Sequence, residues 1–287
     1  MNRLALLHST SLRALAVAGV TAAAATAMPA AAQAAVACNE TALVAAINAA
    51  NAAGGGNVVL TPLCTYNLTT SHATGANGPD GLPVITTVVT LTGNQNTITR
   101  STGLLTPSFR IAEVARTGNL TLKSVTFNNG NVLGSGGGIL NFGAVTLTGS
   151  ALTNNAALLG TGGGLANADV PAPALGANAT FTSSTISGNT ATGMGAGLYN
   201  GLRGTLTTTS SFVRANASSL AQGGGIAAIN STATTLTSTP VSANSATLGA
   251  GGVYRSGGIM TITFSPISGN TPNNCVGSVP SVPGCVG

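Results

Sequence analysis

The chain has 287 residues; 40 are glycine, 5% are charged, 3% are aromatic and none is tryptophan. The formal charge is +5, but Arg3 and Arg13 fall in a leader-like segment, which leaves seven basic residues against four acidic ones, about +3. Those seven (Arg100, Arg110, Arg116, Lys123, Arg203, Arg214 and Arg255) form no basic run. Nucleic-acid binding needs a concentrated basic footprint, so no nucleic-acid partner is expected.

Residues 1–34 read as a secretory signal peptide: Arg3 and Arg13 flank it, Leu15 to Ala27 is apolar, and Ala32-Gln33-Ala34 offers a small-residue cleavage site. The apolar stretch is too short for a typical membrane span, and none follows, so no transmembrane segment is expected in the mature chain. A lipoprotein anchored at Cys38 is disfavoured, because no large aliphatic residue stands three before it. Export permits disulfides. Cys38, Cys64, Cys275 and Cys285 allow three pairings. Cys38 with Cys64 and Cys275 with Cys285 are favoured, since each closes a local loop at one end of the chain. No Cys-x-x-Cys occurs and the one mature histidine, His72, has no second ligand in sequence, so neither metal nor cofactor is expected.

Residues 35–56 read as an N-terminal cap whose helix runs from Asn39 to Ala53. Asn39 can cap it, Glu40 suits the positive dipole end, Leu43, Ile47 and Ala50 share a face, and Gly54 stops it. Laid across the open end of a stack, it would protect strand edges. Residues 57–70 are strand-rich. Ser71 to Pro83 is a glycine- and proline-rich loop holding His72 and Asp80, a His/Asp pair with no nucleophile beside it. Val84 to Ser135 reads as three less regular strand stretches. Leu120, Leu122 and Phe127 match the inward pattern of the repeats that follow, with Thr121 and Lys123 at the threonine positions. Residues 169–179, with Pro171 and Pro173, should protrude.

From Gly136 to Asn270 the chain repeats one unit five times. Each copy opens on a glycine cluster and an aliphatic residue: Gly136 to Ile139, Gly162 to Leu165, Gly195 to Leu198, Gly223 to Ile226 and Ala250 to Val253. Each closes on an asparagine: Asn155, Asn189, Asn216, Asn244, Asn270. Three residues earlier stand Leu152, Ile186, Val213, Val241 and Ile267. Five earlier stand Ser150, Ser184, Ser211, Thr239 and Ser265, where a turn should fall. Eight earlier stand Leu147, Phe181, Thr208, Leu236 and Ile262, flanked by Thr146 and Thr148, Thr180 and Thr182, Thr207 and Thr209, Thr235 and Thr237, Thr261 and Thr263. Alternation is the strand signature, so the middle residue points inward and both threonines point out. One repeat cannot bury its apolar face alone. The pattern predicts an all-β parallel β-helix, a solenoid of about eight coils over 57–270. The short capping helix lies before it, and a disulfide-pinned cap over 271–287, rich in proline, lies after it.

The Gly-Gly-Gly-Ile units with a downstream Ser/Thr-x-x-x-x-Asn resemble secreted right-handed parallel β-helix repeat proteins of the polymorphic outer membrane protein type. Thr-Ile-Ser-Gly-Asn at 185–189 is nearest that family's second motif, and Phe127-Asn128-Asn129 echoes it. The resemblance covers roughly Leu43 to Asn270. It implies a surface-exposed, adhesin-like role. The family's larger members also carry a C-terminal β-barrel; these residues contain no region of that length, so anchoring of that kind is not expected.

The function expected is therefore non-enzymatic: a secreted or cell-surface, adhesin-like module for an unidentified extracellular polymer, polysaccharide, host or cell-surface ligand. A pectate-lyase-like carbohydrate-active enzyme is kept as the second alternative, since such enzymes share the architecture, but they need several carboxylates. Glu40, Asp80, Glu113 and Asp169 do not recur at one position of successive coils, so no catalytic residue is expected. The repeated asparagines read as a structural ladder of stacked amides, and Asn141, Asn167 and Asn200 as a second one that lapses at Ala228 and Arg255. The ten outward threonines are the candidate binding face. Ice-binding β-helices present Thr-x-Thr arrays of this kind, which gives the first alternative; outward threonine also simply favours strands. Tyr199 and Tyr254, at one position two coils apart near Arg203 and Arg255, are a weaker candidate for stacking on sugars.

Overall fold

A computed structural model of the chain describes residues 34–167 and 176–287. The leader expected over 1–34 therefore lies outside the described residues up to Gln33, as does most of the 169–179 protrusion, including Asp169, Pro171 and Pro173. The rest is an all-β parallel solenoid of about seven turns, with one short helix on its N-terminal side.

The coils feed three parallel sheets, the largest present at every level and the other two six strands tall. The largest takes two strands per coil, such as Ala144–Thr148 and Ala151–Thr153, which meet at a corner at Gly149-Ser150. We call these the first and second walls. They rise through eight levels, from Gly55–Val59 and Thr65–Leu68 to Ile259–Thr263 and Ile267–Ser268. The third wall stacks Asn131–Leu133, Ala156–Leu158, Thr190–Ala191, Ala217–Ser218, Ser245–Ala250 and Thr271–Asn273. The fourth stacks Ala112–Val114, Ile139–Asn141, Leu165–Asn167, Leu198–Asn200, Ile226–Ile229 and Val253–Ser256.

Like residues pile into vertical files because the strands pair in register. Leu152, Ile186, Val213, Val241 and Ile267 are successive partners on the second wall. The first four are wholly buried, and Ile267 packs partly buried against the core. Each such side chain withdrawn from water is worth about 1.5–3 kcal/mol. On the first wall Leu147, Phe181, Leu236 and also Thr208 are fully buried; Thr208 Oγ1 has no partner among the described residues.

The glycine cluster and the closing asparagine, separate motifs in the sequence, meet at one corner. Asn155 Nδ2 donates to Asn189 Oδ1 one coil on (3.0 Å), and Asn189, Asn216 and Asn244 repeat the contact at 2.9 Å each as far as Asn270, whose amide in turn donates to Asn274. From Asn189 on, each Oδ1 also accepts the backbone N–H of the preceding ladder residue, and each Nδ2 also donates to a second-wall carbonyl, for instance Ile186 O from Asn216. The amide thus makes its full four hydrogen bonds without water. The third glycine of every cluster stands over this amide. A Cβ on Gly197 would lie 2.5 Å from Gly225 O and 2.9 Å from Asn216 Nδ2. That explains why the third position is glycine in all five units, while Ala250 and Ala196 enter the first and second. Gly197→Ala should cost about 1–3 kcal/mol, the usual range for overpacking, read as a drop in the urea midpoint followed by far-UV circular dichroism.

Hydroxyls line the corner between the first two walls. Ser150, Ser184, Ser211, Thr239 and Ser265 each donate to the carbonyl two residues earlier, at 2.8–3.0 Å. They accept a backbone N–H from the coil before, as Thr239 N to Ser265 Oγ does at 2.9 Å. The second amide file joins Asn141 to Asn167 (2.7 Å) and Asn167 to Asn200 (2.8 Å). Where Ala228 breaks it, Asn200 Nδ2 turns to Thr234 Oγ1 at 2.9 Å.

The helix is Glu40–Ala52, capped by the Asn39 side chain accepting Ala42 N–H at 2.8 Å, with Leu43, Ile47 and Ala50 buried. It packs against Gly55–Val59, Thr65–Leu68 and Val88–Arg100. Cys38 bonds Cys64 beside it, and Cys275 bonds Cys285 at the other end, where Val282 is buried on the core. Two details differ from the sequence reading. The 71–83 loop contains a small hairpin, Ala73–Gly75 with Gly78–Asp80. The stretch 84–135 holds four strands rather than three, Val88–Arg100, Ala112–Val114, Asn119–Asn128 and Asn131–Leu133, because a short fourth-wall strand fits between the longer ones.

Candidate functional site

The first wall carries the threonines outward because its alternate residues are committed to the core. Pairing is continuous from Asn119–Lys123 to Ile259–Thr263 with no register shift. Thr146, Thr180, Thr207, Thr235 and Thr261 form one file, and Thr148, Thr182, Thr209, Thr237 and Thr263 the other. Register extends both files toward the N-terminus. Thr121 and Thr90 continue the first; Lys123 and then Thr92 continue the second. The sequence reading missed Thr90 and Thr92, although Thr90-Leu91-Thr92 repeats the tripeptide at 146–148. In the earlier coils the place of the ladder asparagine belongs to other groups, such as Gly130, whose N–H donates to Asn155 Oδ1 at 2.9 Å.

The face is therefore thirteen threonines on seven levels, half-buried to exposed along its length. Levels of a sheet lie about 4.8 Å apart and the two files about 6.7 Å apart. Thr92 Oγ1 donates to Asn57 Oδ1 at 2.7 Å. The other twelve hydroxyls make no hydrogen bond among the described residues, in contrast to the corner hydroxyls, all of which are engaged internally. Within the first-wall strands from Val88 to Thr263, Lys123 is the one charged residue facing outward, and no aromatic ring does; Phe212 and Phe264 are exposed on the second wall and at its corner.

No protein-family model, no curated protein and no solved structure matches the chain. What the faces can do must be read from their own chemistry.

Two of the acidic residues meet in the fold, although not at one register position. Sequence spacing kept Asp80 and Glu113 apart, yet the fold brings both to one guanidinium. Arg110 Nη1 lies 2.6 Å from Asp80 Oδ1 and 3.4 Å from Glu113 Oε2. Arg110 Nη2 also donates to Asn77 O, and Asn77 Nδ2 donates to Glu113 Oε1 at 3.0 Å. The cluster pins the 73–80 hairpin to the fourth wall. Burial pushes the Asp80 carboxyl up to about 7, although Arg110 opposes the shift; Glu113 adds to it. Asp80 Oδ2 has no partner among the described residues. The signal that could have revealed the cluster was the spacing of Arg110 and Glu113, which straddle the start of a fourth-wall strand, but nothing in the sequence placed Asp80 above them. Asp80 and Arg110 are both fully buried, so the pair of carboxylates stands sealed rather than open to a substrate.

His72 turns away from the Asp80 side chain. Its Nε2 meets Glu40 Oε1 at 2.8 Å. Burial raises the Glu40 carboxyl, but hydrogen bonds from Thr69, His72 and Thr70 outweigh it and hold the group below its ordinary value. Among the described residues no three His, Cys, Asp or Glu side chains are grouped to hold a metal, and no helix is long and apolar enough to cross a membrane. Tyr199 and Tyr254 do share a fourth-wall file, separated by Ala227. Each is only partly exposed, and burial raises the Tyr199 hydroxyl.

Proposed function

We propose that the protein is a secreted or cell-surface, non-enzymatic binding module with right-handed, polymorphic outer membrane protein-like coils. Its threonine face lies against an extended, regularly repeating extracellular ligand such as a polysaccharide. The observation that carries the reading is the contrast between two sets of hydroxyls: those at the corners are engaged inside the fold, whereas twelve on the first wall are not. A repeated array of hydroxyls and methyls on a stiff sheet matches a ligand that repeats too. Two disulfides, one at each end, are compatible with an extracellular setting.

Binding to insoluble cell-wall polymers and immobilised matrix proteins tests this. Thr207→Tyr places a ring in the middle of the first file and should cut retention at least about tenfold. Thr207 is half-buried, so urea unfolding of the variant serves as the check that the fold survives. Retention unchanged by Thr207→Tyr and by Thr235→Tyr would remove the face from the reading.

A second reading is ice or another crystalline surface. The threonine face itself carries no aromatic ring, which favours this reading, because sugar-binding faces commonly stack rings on sugars. Thermal hysteresis that vanishes in Thr207→Tyr would support the lattice reading over the polymer one.

A further inference from the structure

On four of its six levels the third wall ends on its outer side with leucine, where solvent would favour polar residues. Leu133 (67% exposed), Leu158 (42%), Leu159 (77%), Leu220 (66%) and Leu248 (54%) all project from it or its trailing turn. Register orders them along the stack. Leu133 pairs with Leu158 on adjacent levels. The Ala157–Ala191 and Ala191–Ser218 pairs then place Thr192 and Gly193 beside Leu158 and Leu159, and Leu220 beyond them. The Ser218–Ala246 pair places Leu248 next to Leu220. No Asp, Glu, Lys or Arg occurs in 131–134, 156–160, 190–193, 217–222 or 245–249.

The order of leucines along the axis is thus one, two, none (the small Thr192–Gly193 level), one and one, with Ser219 and Thr247 beside the last two. It reads nearly the same from either end. A two-fold contact needs this property, since residue i must meet j while j meets i. We propose that this stripe is an interface between two copies of the chain, packed side by side and antiparallel. The two-fold axis passes near Thr192 and Gly193. Leu158 and Leu159 of one copy then meet Leu220 of the other, and Leu133 meets Leu248. The small central level lets the walls approach, and the leucines on either side interdigitate. Five levels span about 19 Å at about 4.8 Å per level. With the flanking wall residues, that length can approach the roughly 800 Å² per partner typical of specific interfaces. A stripe without charge offers no self-repulsion, and contiguous exposed apolar surface of this kind marks an interaction site. The threonine face lies on another wall, so the inference does not depend on the proposed function.

Sedimentation analysis of the mature chain from about 1 to about 100 µM, the range in which a modest interface is half-occupied, should show a dimer. Leu158→Lys alone and Leu220→Glu alone should each weaken it about tenfold or more. Both side chains are exposed, so thermal unfolding serves as the check that the monomer remains folded. The decisive arm combines them in one chain. In the antiparallel arrangement each new lysine faces a new glutamate, and dimerisation should recover relative to either single variant. Thr192→Cys, next to the axis, should cross-link copies under oxidation. A monomer throughout the range would overturn the proposal. So would a dimer indifferent to the single changes, or a double variant weaker than both singles. Monomers that bind neutral phosphatidylcholine vesicles through the same leucines would assign the stripe to lipid instead.

Discussion

Asn216→Ala should unfold the middle of the solenoid. The substitution removes an amide that makes four buried hydrogen bonds, and it strands the groups at their other ends. Asn189 loses the acceptor for both its backbone N–H and its Nδ2, while Ile186 O and Asn244 Oδ1 lose a donor. An orphaned buried polar group costs about 1–3 kcal/mol, so the total is on the order of 5 kcal/mol. That is comparable with the whole stability of many domains, about 5–15 kcal/mol. Asn216→Asp should be no better, because a carboxylate oxygen would face Asn244 Oδ1 and Ile186 O where a donor is required. Asn274→Ala is the control. It ends the file, accepting from Asn270 N and Nδ2 at 3.2 and 3.0 Å in a partly open site, so water can replace it at about 1 kcal/mol. Urea unfolding followed by far-UV circular dichroism separates the two. Equal, small losses at both positions would mean the ladder contributes little.

The Asp80 cluster should make stability fall as pH rises. Asp80 titrates near 7 in the fold against an ordinary 3.8. Between those values the folded chain holds a proton that the unfolded chain has lost, so unfolding becomes easier from about pH 4 to about pH 7 and levels off above. Each tenfold difference in proton affinity between the two states is worth about 1.4 kcal/mol, so the change amounts to a few kcal/mol. Glu40 acts with the opposite sign at lower pH, because its folded value lies below the ordinary 4.5. The difference between the wild type and Asp80→Asn isolates Asp80 from it. Urea midpoints compared at pH 4, 5.5, 7 and 8.5 should fall in the wild type and stay nearly level in the variant across the upper part of that range. Arg110→Met removes the guanidinium between two carboxylates and should cost about 3–5 kcal/mol at pH 8, and less at pH 4. A wild-type midpoint that rises over pH 4 to 7, in step with Asp80→Asn, would contradict this account.

Much of the fold could be read from the sequence because a solenoid turns periodicity into position. Once Leu152 and Ile186 occupied equivalent places, their neighbours did too, and the threonine files followed from alternation alone. The helix over Asn39–Ala53 was legible for a local reason, a capping side chain followed by apolar residues spaced for one face. What escaped was the chemistry of non-repeating contacts. Asp80, Arg110 and Glu113 meet because a hairpin folds back on the fourth wall, and no spacing rule encodes that. Thr90 and Thr92 escaped because the first coils lack the asparagine that marks the later ones. The leucine stripe also went unremarked, since Leu133, Leu158 and Leu220 fall where the sequence alternation is short and the turns vary in length. It emerges only when strand register brings them into line.

The identical contacts made by Asn189, Asn216 and Asn244 have a consequence for how such a chain can change. Each coil offers its successor the same donors and acceptors that it receives from its predecessor, so a whole coil behaves as an interchangeable cassette. Duplicating or excising one, cut at equivalent points of two ladder residues, rejoins matching surfaces. A cut of any other length offsets every file beyond it. The molecule is thereby free to vary in length in steps of one coil, and in no smaller step.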